Sequence, residues 1–75
     1  MEHNAYAHVQ EFYGKKVRER RKALKISQTD LSNLSNLHIT YISSIERGER
    51  NISIINVYKI AKALNSPIKY FFPEI

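Results

Sequence analysis

Seventy-five residues make one small domain, and folding at this size buries only about 60% of the surface that the unfolded chain exposes, so a large active-site cavity is not expected. Without cysteine there is neither a disulfide framework nor a thiolate metal site; no apolar run reaches the length of a membrane span and the first residues lack a signal-peptide pattern, so a soluble cytoplasmic protein with no cofactor, metal or membrane partner is expected. Twelve Lys and Arg against seven Asp and Glu leave a net charge of +5, which suits a polyanionic partner.

Residues 1–8 contain no strong period and read as a loose end or an extra helical turn. His3 and His8 lack the i, i+4 spacing of a helical metal pair and read as surface residues. From residue 9 the apolar positions Val9, Tyr13, Val17 and Leu24, with Phe12 beside them, follow helical spacing, which predicts helix 1 over 9–24. Arg20 occupies one expected inward position, where it buries its stem and keeps its head wet or paired. Gly14 costs a helix interior roughly 1 kcal/mol relative to Ala; either a close helix contact or a helix boundary near that residue accounts for it. Seven of the twelve cations, Lys15, Lys16, Arg18, Arg20, Arg21, Lys22 and Lys25, fall in this helix and just after it. Such a run suits a solvated face as well as it suits phosphates.

Ile26 precedes Ser27, which is placed to cap helix 2 (28–35), with Asp30 three residues on as the partner in a weak capping box. Leu31 and Leu34 supply its apolar side. Asn36 tolerates positive φ and allows the sharp turn that a helix-turn-helix needs. In helix 3 (39–47) Ile42 and Ile45 point inward, which leaves Ile39, Thr40, Ser43, Ser44 and Arg47 on the outer face with Tyr41 at its edge. That face is short and mostly polar, so it fits a DNA groove and offers hydroxyls, a guanidinium and an apolar side chain to base edges.

Gly48 ends helix 3, and a polar loop with Ile52 as anchor leads to Ser53, the cap of helix 4 (54–64). Val57, Ile60, Ala61 and Leu64 form its packed stripe, with Ile54 close to the same side, and Asn65 ends it. Ser66-Pro67 is a second start signal, so helix 5 is expected over 67–72, stopped by Pro73. Nothing alternates with period two, and the fold class is a compact all-α domain of five helices. Phe71 and Phe72 each read as core on their own, yet Ile55, Tyr58, Ile68, Tyr70 and Phe72 together form a candidate exposed patch. A symmetric homodimer through that patch would set two recognition helices about 34 Å apart.

Three separated motifs then carry a resemblance: Ser27-Gln28-Thr29-Asp30-Leu31, Ile42-Ser43-Ser44-Ile45-Glu46-Arg47-Gly48 and Ile60-Ala61-Lys62-Ala63-Leu64. In this order and spacing they resemble the Cro/C1-type, lambda-repressor-like helix-turn-helix family over about residues 12–72, and within it the controller proteins of restriction-modification systems. The resemblance implies a phosphate contact from Gln28 and base or groove contacts from Ile39, Thr40, Tyr41, Ser43 and Ser44. It further implies DNA-backbone contacts from Arg47, Arg50 and Asn51. Glu46 would be structural, paired with an arginine of helix 1, for which Arg18 and Arg21 are the candidates. Asn36 replaces the family's usual turn glycine, Arg20 replaces an apolar residue, and Ile39 stands where many controller proteins have arginine. Contact with a thymine methyl therefore replaces a guanine contact at that position.

The reading that follows is a sequence-specific DNA-binding transcriptional regulator, a homodimer on a palindromic double-stranded operator that controls its own gene. RNA polymerase is a further candidate partner. The domain fills the chain, so no ligand-sensing domain and no small-molecule ligand are expected. The alternative is an antitoxin-like protein-interaction module whose DNA binding is secondary. An enzyme is not expected, because Asp30, Glu46, His38 and the serines form no nucleophile, base and orienting set.

Overall fold

The computed structural model describes residues 5–75 as four α-helices and one 3-10 turn: α1 (Ala7–Ala23), α2 (Gln28–Ser35), α3 (Ile39–Glu46), α4 (Ile54–Ala63) and a C-terminal turn (Ile68–Phe71). No strand occurs among the described residues. Ala7 and His8 belong to α1, which therefore begins two residues before the expected start at Val9, while residues 1–4 lie outside the described part. The helices start where side chains replace the missing backbone partners. Ser27 Oγ accepts from the Asp30 amide at 3.0 Å and Asp30 returns the bond to the Ser27 amide at 2.9 Å, a complete capping box. Ser53 caps α4 through the Asn56 amide at 3.2 Å. His38 caps α3, its Nδ1 accepting from the Thr40 amide at 3.0 Å.

Helix ends are set by left-handed residues. Asn36 (φ 60°) makes the turn between α2 and α3, and Gly48 (φ 77°) and Asn65 (φ 51°) close α3 and α4. At Gly48 the paired bonds run from its own amide to Ile45 at 2.9 Å and from Glu49 to Ser44 at 3.0 Å. Lys25 (φ 59°) closes α1 in the same way, an unexpected conformation for a lysine.

The core is a single cluster of Tyr13 and Val17 from α1, Leu31 from α2, Ile42 and Ile45 from α3, Val57, Ile60, Ala61 and Leu64 from α4, and Phe71 from the final turn. Each large side chain so buried contributes roughly 1.5–3 kcal/mol. Tyr13 packs its ring 5.4 Å from that of Phe71 and 5.6 Å from that of Phe72. Gly14 sits in the middle of α1 where that helix crosses α3. A Cβ there would collide with the Ile45 carbonyl oxygen and lie 3.1 Å from that of Glu46, so close helix contact, not a boundary, explains this glycine.

Several apolar expectations are corrected. Leu34 is 62% exposed, because α2 turns Leu31 and Ser35 inward instead; the Ser35 hydroxyl is satisfied by the Leu31 carbonyl at 2.7 Å and so can be buried. Leu24 is exposed, since the chain turns at Lys25 and Ile26 packs on the core in its place. Ile54 is 81% exposed, being the first residue of α4 and beyond the packed stripe. The expected fifth helix is one 3-10 turn. Pro67 keeps extended backbone, Ser66 donates to the Leu64 carbonyl at 3.1 Å instead of capping, and the short span to Pro73 leaves no room for a second turn. Arg20 does snorkel: its Nε donates to the Leu64 carbonyl at 3.1 Å and so caps the end of α4.

Candidate nucleic-acid interface

The basic character of α1 is spent unevenly. Arg21 is buried and forms a two-point bridge to Glu46, Nε to Oε2 at 2.7 Å and Nη2 to Oε1 at 2.9 Å, and its Nη1 donates to the Ile26 carbonyl at 3.0 Å. Of the two candidates, Arg21 and not Arg18 is therefore the partner of Glu46. The bridge raises the Arg21 pKa, the hydrogen bond to Glu46 outweighing desolvation. Lys16 pairs with Glu19 at 3.4 Å and lies 5.3 and 5.2 Å from the ring centres of Phe12 and Tyr70. With Arg20 on Leu64, three of the seven cations serve the fold; Lys15, Arg18, Lys22 and Lys25 are exposed.

The same Glu46 holds the first residue of α2. Gln28 Nε2 donates to Glu46 Oε1 at 3.1 Å, so α1, α2 and α3 meet in one hydrogen-bonded chain, Arg21–Glu46–Gln28. Gln28 then stands beside Ile39, Thr40, Ser43 and Arg47, and these five residues line a shallow depression between the start of α2 and the outer face of α3. Ile39 and Thr40 are exposed at the N-terminus of α3. Arg47 reaches back one turn to Ser43, its Nη1 donating to Oγ at 2.6 Å, and sideways to Glu49, its Nε donating at 3.0 Å. The pair is exposed on both sides; the bond to Glu49 raises the Arg47 pKa and lowers that of Glu49.

Ser44 departs from the expected outer face. It is 5% exposed, its hydroxyl donates to the Tyr41 carbonyl at 2.8 Å, and its oxygen accepts from Arg50 Nε at 2.8 Å. On a helix the position next to Ser43 and before Ile45 turns 100° from one toward the core, and Ser44 falls on the inner side of that boundary. Tyr41 is half-buried; its hydroxyl accepts from Asn56 Nδ2 at 3.2 Å and its ring carries the Arg50 guanidinium 5.3 Å from its centre. Asn51 is exposed in the same loop as Arg50. The groups suited to acid–base chemistry are committed elsewhere: Asp30 to the Ser27 cap, Glu46 to Arg21 and Gln28, His38 to Thr40.

The sequence profile of the helix-turn-helix family matches residues 17–71, the span from Val17 in α1 to Phe71 in the final turn. The chain belongs to the helix-turn-helix family. The family is of Cro/C1 type, one of DNA-binding regulators and not of enzymes, and the fold is lambda-repressor-like. This helix-turn-helix chain is 38% identical to the restriction-modification controller protein C.AhdI from Aeromonas hydrophila, covering 84% of its own length and 96% of that chain with a TM-score of 0.81. It is 33% identical to the wild-type controller protein C.Esp1396I, with 84% and 83% coverage and a TM-score of 0.77. An uncharacterized transcriptional regulator in the ATPase CF(0) region of Rhodospirillum rubrum is 41% identical over 68 residues, 91% of this chain; the helix-turn-helix chain spans 63% of that relative's length.

The five residues read as one apolar patch are divided by α4. Ile55 and Tyr58 lie with Leu34, Lys59 and Lys62 in a depression between α2 and α4. Ile68 and Phe72 lie with Val9, Tyr13, Ile54 and Val57 in an apolar groove of about 340 Å³ between α1, α4 and the final turn, whose rim carries Arg50 and Asn51. Tyr70 belongs fully to neither; it is half-buried, edge-on to Phe71 with ring centres 5.0 Å apart. Ile54, next to the groove, is a contributor that the sequence reading had assigned to the core. None of the described helices is long and apolar enough to cross a membrane.

Proposed function

We propose that this protein is a sequence-specific transcription regulator of the restriction-modification controller type, which binds a palindromic double-stranded operator in the cytoplasm as a homodimer and controls its own gene. The observation that carries the reading is the depression formed by Gln28, Ile39, Thr40, Ser43 and Arg47, with Gln28 fixed from behind by Glu46. A short hydroxyl-bearing helix face held rigidly at its base can enter a major groove without ordering cost. Affinity then comes from exposed cations on phosphates, Arg47 and Arg50 among them, with a neutral hydrogen bond from Asn51, and falls steeply with salt. Specificity comes from Ile39, Thr40 and Ser43, with Ile39 against a thymine methyl.

The dimer reading is supported by the groove of Ile54, Ile68 and Phe72, because an 81% exposed isoleucine on the wall of an apolar hollow leaves surface for a second copy to cover. The separate surface of Leu34, Ile55 and Tyr58 favours a second reading, a protein partner such as RNA polymerase or a toxin. Selection of bound duplexes from a random pool, followed by a salt titration, tests the main proposal. A palindromic consensus with two half-sites one helical turn apart is expected. A non-palindromic consensus would remove the two-fold dimer, and no enrichment at all would remove sequence-specific binding.

A further inference from the structure

Hydrogen-bond accounting around Arg50 points to a division of labour between the recognition helix and the loop behind it. A serine hydroxyl has one proton to give. Ser44 gives it to the Tyr41 carbonyl and accepts from Arg50 Nε, both at 2.8 Å, and is itself buried. The side chain has no proton left to give a base edge, and its burial keeps the remaining lone pair from one. Arg50, six residues away on the loop, is held at two points: its Nε by Ser44 and its guanidinium carbon over the Tyr41 ring, 5.3 Å from the centre. The ring is anchored in turn by Asn56, which donates to the Tyr41 hydroxyl at 3.2 Å. The two terminal nitrogens of Arg50 make no hydrogen bond among the described residues, Glu49 acting on the guanidinium only through its charge, and the residue is exposed. A guanidinium aimed from a loop normally gives up several rotors on binding; here the fold has already restricted them.

We propose that Ser44 is a positioning residue, which acts on DNA only through Arg50, and that Tyr41 serves Arg50 as a platform. Together they preset the guanidinium as a clamp for a phosphate oxygen. The proposal rests on the DNA-binding reading above and sharpens it, because it removes Ser44 from base recognition and transfers its effect to affinity.

The test measures affinity and salt dependence on a duplex selected by the wild-type protein from a random pool, for Ser44→Ala, Arg50→Ala and the double variant, with thermal melts to verify folding. Arg50→Ala is expected to weaken binding about tenfold or more and to reduce the salt slope by about 0.9 for each protomer, about 1.8 for the dimer. Ser44→Ala alone is expected to weaken it roughly three- to tenfold, the range for ordering one long side chain, and to select the same consensus as wild type. In the Arg50→Ala background Ser44→Ala is expected to add less than about twofold. Tyr41→Phe keeps the ring but loses the Asn56 anchor and should fall between wild type and Ser44→Ala, whereas Tyr41→Leu should behave like Ser44→Ala. A Ser44→Ala loss that persists in full without Arg50, or a changed consensus, would overturn the positioning role, since a base contact or a purely structural role acts whether or not Arg50 is there. An Arg50→Ala variant with wild-type affinity and slope would overturn it too, while salt-dependent binding by the wild type would leave the regulator reading standing. If the wild type selects no duplex, both fall.

Discussion

Two arginine–glutamate pairs flank α3, and their chemistry is the same while their surroundings are opposite. Arg21 and Glu46 meet at 2.7 Å with side chains 11% and 3% exposed; Arg47 and Glu49 meet at 3.0 Å with side chains 54% and 56% exposed. The first pair is bonded at two points, shares Glu46 with Gln28, and ties α1 to α3 and the start of α2. Water surrounds the second, and such a pair adds little to stability. The buried pair is therefore architecture. On the proposed DNA-binding reading, Glu49 would compete with a phosphate for the guanidinium that it now holds.

The largest break in the comparison comes from removing one member of the buried pair. Glu46→Ala strands a buried guanidinium and releases Gln28, and should cost about 3–5 kcal/mol in denaturant unfolding; a loss no larger than that of a surface variant would refute the architectural role. Arg21→Lys keeps the charge but lacks the planar fork, and about 1–3 kcal/mol of loss is expected in the same assay. Gly14→Ala brings a methyl against the Ile45 carbonyl where the bridged helices cross, and overpacking of this kind costs about 1–3 kcal/mol. A melting temperature equal to that of wild type would mean that α1 slides freely on α3.

Smaller effects follow at the surface. Arg47→Ala and Glu49→Gln should leave the melting temperature unchanged but move DNA affinity in opposite directions, down for the arginine and up for the glutamate. Equal directions would refute the competition between Glu49 and phosphate. Acid should act on the exposed groups in a defined sense. The Asp30 carboxylate is held below its usual pKa by the Ser27 amide, then by the Ser27 hydroxyl. A carboxylate with a depressed folded pKa stabilises the fold above its unfolded pKa, near 4, and that contribution is lost as pH falls through the folded value. Asp30→Asn should therefore flatten the melting-temperature profile below pH 4, and an unaltered acid limb would show that the capping box contributes nothing there.

Much of this was written in local signals. Ser27, Asp30, Asn36, Gly48, Ser53 and Asn65 mark helix ends through chemistry confined to one turn of chain, and each adopts the role its side chain or φ allows. The inward stripes of Ile42 and Ile45 and of Val57, Ile60, Ala61 and Leu64 depend on period alone, and all six are buried. Period was silent where two positions compete for one face. Leu34 against Ser35, and the outer face against the inner at Ser44, were decided by which neighbour could satisfy a hydroxyl. Lys25 gave no signal, because lysine is rarely left-handed, and Lys25→Gly should gain about 0.5–1 kcal/mol. Of the site, Ile39, Thr40, Ser43 and Arg47 were legible from register and Gln28 only from the family resemblance; Tyr41 and Ser44 as supports of Arg50 were not, since a loop residue six positions on has no fixed phase with the helix.

By itself the sequence determined an all-helical chain, the positions of its caps and turns, and the short polar face that begins at Ile39, because propensity, capping and amphipathic period act within a few residues. Tertiary structure alone decided that Glu46 takes Arg21 and not Arg18, that Gly14 is a crossing point, that one apolar patch becomes two surfaces either side of α4, and that Arg50 rests on Tyr41. Those outcomes depend on which helices meet and at what distance, and contacts between residues far apart in the chain leave no trace in local pattern.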